Sequence, residues 1–287
     1  MRENILEIKG VFKSYDKFTL KDINISLERG YIMGFIGANG AGKTTTIKLI
    51  MNMVKRDSGQ IKVFGKDNIK DEVQIKNKIG YVGEQPVFYD DMSVEWTCNF
   101  ARKFYSHWDD EVFKELLSKF NLDKNKKIKL LSKGMRMKTA LALALSHHPD
   151  LLILDEPTSG LDPIVRDELL EILMEFIQDE GRSVFFSSHI THDIERVADY
   201  VTFIDEGKII VSEEKDDLLN RWKLIKGDIA KLDELKQDLL GIRTQGPGFE
   251  ALIKDIDVFV KNHDTTRLVI DHASLDDILL HLAKRGS

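Results

Sequence analysis

The 287-residue sequence has little cysteine, no long apolar run and no excess of positive charge. Its one cysteine, Cys98, has no partner for a disulfide within the chain, which favours a reducing compartment. The longest apolar stretches, such as ALALAL (140–145), are far shorter than the roughly 20 residues of a membrane span. With 42 Lys and Arg against 48 Asp and Glu, the net charge of −6 gives no indication of a nucleic-acid partner.

These absences favour a globular chain without a membrane segment of its own. The N-terminal stretch MRENILEIKG lacks the apolar run of a signal peptide. If the protein works at a membrane, we therefore expect another chain to cross it. The hydrophobic fraction of 42% is enough for a real core, and the length suits one large or two small domains.

The pattern along the chain predicts an α/β fold. In LKDINISLERG (20–30), Ile and Leu alternate with Asp, Asn and Ser, which is typical of a half-buried strand. The apolar run YIMGFIG (31–37) leads through glycines into AGKTTTIKLIMNMV (41–54), whose apolar residues keep helical spacing. Residues 93–147 carry only helical periodicity and indicate a helical insertion. Strand and helix patterns then alternate from 149 to 200, which implies a parallel sheet covered on both faces, and 201–213 reads as a hairpin.

The chain after about 222 changes character, and we interpret 221–287 as a small C-terminal α/β appendage. DIAKLDELKQDLL (228–240) is predicted to be a charged amphipathic helix, TQGPGFE (244–250) a turn and TRLVID (266–271) a strand. SLDDILLHLAKR (274–285) is predicted to be a helix opened by a Ser-Asp capping box. The appendage is either a stabilising extension that packs on the rest of the chain or a dimerisation or regulatory element.

The strongest chemical signal is GANGAGKT (37–44), which has the spacing of a phosphate-binding loop. Glycine at 40 and 42 allows backbone conformations that turn N–H groups inward, and the following helix points its positive end at the phosphates. An accidental glycine-rich turn would need neither the strand before the loop nor the helix after it. Lys43 would bridge the outer phosphates, and the Thr44 hydroxyl would ligate Mg²⁺. The predicted nucleotide-binding residues are Gly37, Ala38, Asn39, Gly40, Ala41, Gly42, Lys43, Thr44 and Thr45.

Two further strands end in polar residues. LLILDEP (151–157) places Asp155 and Glu156 at the carboxyl end of an apolar strand, where ligands bind in open parallel sheets. Beside a phosphate loop, Asp155 is the predicted Mg²⁺ partner, through water, and Glu156 would polarise the attacking water. VFFSSH (184–189) repeats the arrangement with His189, although placement alone does not separate a site histidine from a structural one.

These motifs, in this order and with a helical insert before the acidic strand, resemble the ATP-binding cassette (ABC) ATPases over roughly residues 3–220. The resemblance implies a P-loop NTPase of the ABC type, with a mixed sheet core, an antiparallel β subdomain, the helical insertion and the small C-terminal appendage. It implies that Tyr15 stacks on adenine and that His189 contacts the γ-phosphate. SGLD (159–162) matches the D-loop, which places Asp162 at a dimer interface.

Two motifs depart from the family pattern. LSKGMRMK (131–138) occupies the signature position, where Lys133 replaces a glycine and Met135 a glutamine, but Ser132 and Gly134 remain. Lys133 is either an added positive charge beside a phosphate or a solvated side chain. In YVGEQP (81–86), which matches the Q-loop, Glu84 falls on the usual glutamine position and Gln85 follows it, so either could serve as the Mg²⁺-sensing residue.

The resemblance also implies cofactors and partners. Two such subunits, as a homodimer or heterodimer, would pair head to tail around two ATP molecules with Mg²⁺, and the cycle would drive integral membrane permease subunits. The stretch from 187 to 209 resembles ATP-binding subunits of bacterial exporters with separate permeases, of the bacitracin or phenol-soluble-modulin type. We expect a peripheral protein on the cytoplasmic face of the cell membrane. The alternative is a soluble, non-transport ABC ATPase, such as one that serves iron–sulfur assembly.

Overall fold

The computed structural model describes residues 3–179 and 181–283. Within these residues the chain forms fourteen strands and eleven α-helices. In chain order they are β1 (Asn4–Tyr15), β2 (Phe18–Glu28), β3 (Ile32–Ile36), α1 (Lys43–Ile50), β4 (Ser58–Val63), β5 (Lys66–Asp67), α2 (Glu72–Lys76), β6 (Ile79–Val82), α3 (Val94–Ala101), α4 (Asp110–Lys119), α5 (Lys133–Leu145), β7 (Leu151–Asp155), α6 (Pro163–Phe176), β8 (Ser183–Ser188), α7 (Thr191–Val197), β9 (Tyr200–Asp205), β10 (Lys208–Glu214), α8 (Lys215–Arg221), β11 (Lys223–Asp228), α9 (Leu232–Leu235), β12 (Leu240–Gln245), β13 (Gly248–Ile253), α10 (Ile256–Asn262), β14 (Val269–His272) and α11 (Leu275–Leu282).

The strands form three sheets. An antiparallel sheet has the order β2-β1-β4-β5, and a six-stranded sheet has the order β10-β9-β3-β8-β7-β6. In the six-stranded sheet β9, β3, β8, β7 and β6 are parallel, and only β10 is antiparallel to its neighbour β9. The prediction of a mixed sheet core with an antiparallel β subdomain is confirmed. Because β3, β7 and β8 are parallel neighbours, their carboxyl ends meet at one edge of the sheet.

The central strands are buried on both faces. Along β3, Ile32 and Ile36 pack into one hydrophobic cluster together with the helical insertion, whereas Met33 and Phe35 pack into a second cluster against the antiparallel sheet. This alternation follows from the two-residue period of a strand. The sheet is therefore fixed between two cores, and the loops at its edge are held at defined positions.

The insertion at 93–147 is helical, as predicted. Its three α-helices each start at a side-chain cap, with Ser93, Asp109 and Ser132 accepting hydrogen bonds from backbone N–H groups of the first turn.

Within the described parts of the chain, no helix is both long and apolar enough to span a membrane.

The third sheet, of order β12-β13-β11-β14, lies in the C-terminal part of the chain. Here the predicted helix over 228–240 is wrong, because only a 3₁₀ turn (Ile229–Lys231) and the four-residue α9 form. Leu240 instead pairs with Leu252 at the start of β12, and that pairing overrides the helical pattern. The Ser274–Asp277 capping box of α11 is confirmed; positions 284–285 of the predicted helix lie outside the described residues.

The C-terminal elements share a hydrophobic core with the rest of the chain. Trp222, Leu275 and Ile278 are buried in the same cluster as Ile194 and Val197 of α7. This packing agrees with an extension that stabilises the fold. The division into domains at 1–220 and 221–287 stays a prediction.

Candidate nucleotide-binding site

The phosphate loop connects β3 to α1, with the strand before it and the helix after it that the motif requires. Gly40 and Gly42 have φ angles of +83° and +119°, which side chains rarely adopt. A Cβ on Gly42 would lie 2.6 Å from the Leu20 side chain, whereas one on Gly40 would meet nothing within 4 Å. The absence of a side chain at Gly42 therefore lets the loop pack closely against the core. At Gly40 the space beside the loop is open.

Lys43 is the first residue of α1 and is only 5% exposed. Its ammonium group donates hydrogen bonds to the carbonyl oxygens of Gly37, at 2.6 Å, and Ala38, at 3.2 Å. It also lies 3.0 Å from Oε1 of Glu156. A buried cation needs such partners, since an unpaired charge in the interior is strongly unfavourable. The loop and the end of β7 together hold this ammonium in place.

Ser187, on the neighbouring strand β8, holds the Asp155 carboxylate and the Glu156 backbone at the end of β7. The Ser187 hydroxyl donates to Oδ1 of Asp155 at 2.7 Å and accepts from the Glu156 N–H at 3.0 Å. Glu156 has a φ of +51°, an uncommon angle for a residue with a side chain. One buried hydroxyl thus fixes both acidic residues of the motif.

His189 follows β8 and contacts the same carboxylate. Its Nδ1 lies 2.6 Å from Oε2 of Glu156, and its backbone N–H donates to that oxygen at 3.3 Å. The imidazole is 40% exposed, whereas the carboxylate is almost wholly buried. Glu156 therefore sits between Lys43 on one oxygen and His189 on the other.

Lys43, Glu156 and His189 line a cleft of about 620 Å³. An adjoining cleft of about 550 Å³ shares Lys17, Phe18, Asn39 and Gly40 with it and contains Tyr15, which is half exposed. The predicted residues that line one or both clefts are Tyr15, Ala38, Asn39, Gly40, Ala41, Gly42, Lys43, Thr44, Thr45, Glu84, Glu156 and His189.

The two Q-loop candidates lie in different places. Glu84 lines the cleft that contains Lys43 and Thr44. Gln85 lines a separate groove of about 410 Å³ between the sheet and the helical insertion. Glu84, and not Gln85, therefore shares a cleft with Lys43 and Thr44, and which of the two senses Mg²⁺ stays a prediction.

Gly37 and Asp155 line neither cleft: the Gly37 carbonyl accepts from Lys43, and the buried Asp155 carboxylate accepts from Ser187.

Ser132, Gly134 and Asp162 also lie away from these clefts. Ser132 caps α5 by accepting from the Met135 N–H at 3.3 Å, and Asp162 caps α6 in the same manner. Gly134 is buried where α5 meets α6, and a Cβ there would lie 3.1 Å from Cγ1 of Val165. Their roles toward a second subunit stay predictions.

Sequence reasoning missed several residues of the site, among them Phe18, which lines both clefts. Ser187 was noted only as part of a polar strand end, although it bridges both acidic residues. Ser159 and Lys17 line the cleft as well. Ser159 belongs to the SGLD motif and could have been found there; Lys17 carries no motif, because only the fold brings the β1–β2 turn to the phosphate loop.

The oxygen ligands near the cleft suit Mg²⁺ only if substrate phosphates and water complete its coordination. Among the residues that the structure describes, no group of three or more His, Cys, Asp and Glu could hold a metal ion. Mg²⁺ is ordinarily bound by one or two protein groups together with substrate phosphates and water. Thr44 and Glu84 in the cleft, with the buried Asp155 carboxylate next to Glu156 in the chain, fit that manner of binding.

A glycine loop, a buried lysine and paired carboxylates at one sheet edge define a P-loop nucleotide-binding protein. The model of the ABC transporter family matches residues 20–159. The chain is 36% identical over 229 residues to the lantibiotic transport ATP-binding protein SrtF of Streptococcus pyogenes, covering 78% of this chain and 97% of SrtF. It is 38% identical over 202 residues to the bacitracin transport ATP-binding protein BcrA of Bacillus licheniformis, covering 69% of this chain and 66% of BcrA.

A solved structure of the ATP-binding subunit of an ABC transporter is also similar, with a TM-score of 0.69 and 29% identity. The likeness covers 75% of this chain and 92% of that one. The chain belongs to the ATP-binding proteins of the ABC transporter family.

Proposed function

We propose that the protein binds ATP and hydrolyses it to power a membrane exporter of peptides, antibiotics or toxic amphiphiles. The observation that carries the hydrolytic part is the position of Glu156, which lies at hydrogen-bonding distance from both Lys43 and His189 in a single cleft. This constellation joins a phosphate-binding cation to a carboxylate that can accept a proton from water.

The loop and Lys43 would bind the phosphates, since backbone N–H groups at a helix start and a lysine are suited to anions. A phosphate that engages Lys43 competes with Glu156 for the same ammonium, so ATP binding would release Oε1 of Glu156 toward the attacking water. His189 would contact the γ-phosphate and keep the Glu156 carboxylate oriented. Mg²⁺, bound by Thr44 and Asp155 with Glu84 nearby, would neutralise developing phosphate charge.

A second ATPase subunit would complete each site. Ser132, Gly134 and Asp162 lie outside the clefts of their own chain, at the starts of α5 and α6. A head-to-tail pair, as the family resemblance implies, would bring these helix starts to the ATP of the partner. The positive end of the α5 dipole favours an anion there.

The membrane partner would dock beside the helical insertion. The groove that contains Gln85 is lined by apolar side chains, and Val87 at its rim is 93% exposed. Next to it, at the surface, the Trp96 and Phe100 rings stack with centroids 5.4 Å apart, and the Tyr89 ring meets both edge-on at 5.5 and 5.8 Å. An exposed apolar patch of this kind marks an interaction surface. Through it the protein would sit on the cytoplasmic face of the membrane.

The cargo class comes from the relatives, which are named for bacitracin and lantibiotic transport. The test has two parts: the Mg²⁺-dependent ATPase activity of the purified chain, and co-purification of the tagged chain with a permease from detergent-solubilised membranes. Hydrolysis with permease capture supports the proposal. Hydrolysis without any membrane partner would favour the soluble, non-transport ATPase, and absence of hydrolysis would contradict both.

A further inference from the structure

The helix that follows His189 is short and starts without a cap of its own. α7 begins at Thr191, two residues after the histidine, and Ile190 at its N-cap position has no side chain that could cap it. The connection is held by the Ser188 hydroxyl, which accepts from the Ile190 N–H at 2.9 Å. Because only one residue separates His189 from α7, a shift of the start of α7 would move the imidazole.

The C-terminal part of the chain holds this helix by two hydrogen bonds. The Thr191 hydroxyl donates to Oδ1 of Asp276 at 2.8 Å, and the Leu275 N–H donates to Oε1 of Glu195 at 2.7 Å. Thr191 is 5% exposed, so its hydroxyl depends on this acceptor. Thr191 and Glu195 are four residues apart and thus lie on one face of α7.

α7 is also packed on the nucleotide-binding core. A Cβ on Gly34 of β3 would lie 2.3 Å from Cγ2 of Ile194, so the helix rests directly on the strand that leads into the phosphate loop. Asp193 is fully buried and pairs with Arg166 of α6. α7 is therefore held between the catalytic core and α11.

We propose that Asp276 is a positioning residue for hydrolysis: through Thr191 it holds the start of α7, and thereby His189, against Glu156. The inference rests on the proposed ATPase function and deepens it, since it gives the C-terminal elements a part in turnover. Asp276 is exposed overall and contributes little to the hydrophobic core, whereas its neighbours Leu275 and Ile278 are fully buried. The carboxylate can thus be altered without opening the core.

The test compares Asp276→Ala, Asp276→Asn and Thr191→Val in the full chain, after wild-type hydrolysis and its loss in His189→Ala have been established. Loss of one hydrogen bond should lower kcat by roughly three- to tenfold. The Kd for a non-hydrolysable ATP analogue should not change, because the phosphate loop is untouched. Asp276→Asn, which keeps an acceptor, should restore kcat, and Thr191→Val combined with Asp276→Ala should lose no more than either alone.

Asp271→Ala is the matched control, since Asp271 is an exposed aspartate on β14 that pairs with Lys226. It should leave kcat and amide exchange over 190–195 unchanged, whereas Asp276→Ala should speed that exchange. An unaltered kcat in Asp276→Ala overturns the inference. So does a loss that Asn fails to restore or that is matched by an equal loss of nucleotide affinity. If the wild-type protein does not hydrolyse ATP, it is the proposed ATPase function that is wrong, and the inference about Asp276 falls with it.

Discussion

The ammonium of Lys43 lies 3.0 Å from the carboxylate of Glu156, and the side chains of both residues are less than 10% exposed. The groups proposed to bind phosphate and to activate water are thus directly paired. In the low-dielectric interior such a pair is stable only while both charges are present, because removal of one leaves the other unpaired. Under the proposed function, this one contact would link nucleotide binding at Lys43 to the availability of the Glu156 carboxylate for water.

Glu156→Gln should hold ATP and hydrolyse it poorly. The amide keeps a hydrogen-bonding oxygen but loses the basicity that polarises water, so turnover should fall by at least on the order of a hundredfold. ATP affinity should be retained or increased, since a neutral side chain no longer competes for Lys43. Steady-state turnover and equilibrium binding of ATP measure the two effects. The control is Glu171→Gln, which alters an exposed side chain on α6 and should keep wild-type turnover. If Glu156→Gln itself turns over ATP at the wild-type rate, Glu156 is not the base.

Lys43→Ala should lose most nucleotide affinity. One charge-assisted contact to phosphate is removed, which corresponds to roughly 10- to 100-fold in Kd. The melting temperature without nucleotide should also fall, because the Glu156 carboxylate loses its buried partner. Binding of a fluorescent ATP analogue and thermal unfolding measure these effects. Lys48→Ala, on the exposed side of the same helix, should change neither; unimpaired binding in Lys43→Ala would contradict the phosphate-loop assignment.

Ser187→Ala should damage the site without touching a motif residue. The substitution removes the donor to Asp155 and one acceptor of the Glu156 N–H, at a cost of about 1–3 kcal/mol in unfolding free energy. These contacts help to hold Glu156 at its positive φ. We therefore expect kcat to fall about tenfold even at temperatures where the variant is fully folded. Denaturant unfolding and turnover at a temperature well below the transition separate the effects. Ser26→Ala on the exposed face of β2 should leave both unchanged.

Unfolding stability should depend on His147 in mildly acidic solution. Burial lowers the pKa of His147, whose ring stacks on Tyr105 with centroids 3.9 Å apart and whose Nε2 lies 3.1 Å from the Ile79 carbonyl. The unfolded chain takes up a proton below a pKa of about 6.5 while the folded chain stays neutral, so stability falls as pH drops below that value. The fall ends once the lowered pKa of the folded state is passed.

His147→Gln should therefore flatten the dependence of the unfolding free energy on pH in this range. His107→Gln alters an exposed histidine and should keep the wild-type slope. Urea unfolding between about pH 5.5 and 7.5 gives both slopes. An unchanged slope in His147→Gln would show that His147 is not the source of the pH dependence of stability.

Lys133→Gly should leave the ATP dependence of turnover unchanged. The Lys133 ammonium lies against Gly160 of its own chain, where a Cβ would be 2.8 Å from it, and the side chain is exposed. This position agrees with a solvated side chain beside the D-loop. Lys133→Ala separates the loss of charge from the added freedom of glycine. A raised KM for ATP in both variants would instead assign the lysine to phosphate binding.

The local patterns were readable because they depend on near neighbours. Alternation along β2, the apolar runs of β3 and β7, and the glycine spacing before Lys43 all predict structure within a few residues, and each prediction is confirmed. The helix predicted over 228–240 failed for the opposite reason. Its pattern was helical, but the pairing of Leu240 with Leu252 made the last residue a strand.

Residue types at fixed spacing are enough to predict the phosphate loop, the acidic strand end and the α/β class. Which distant groups meet depends instead on how the elements pack. Ser187 reaches Asp155 because β7 and β8 are neighbours, and Glu84 rather than Gln85 faces the phosphate loop because the chain turns there. Asp276 reaches Thr191 across 85 residues because α11 packs on α7. Such contacts depend on packing between elements, which no local pattern encodes.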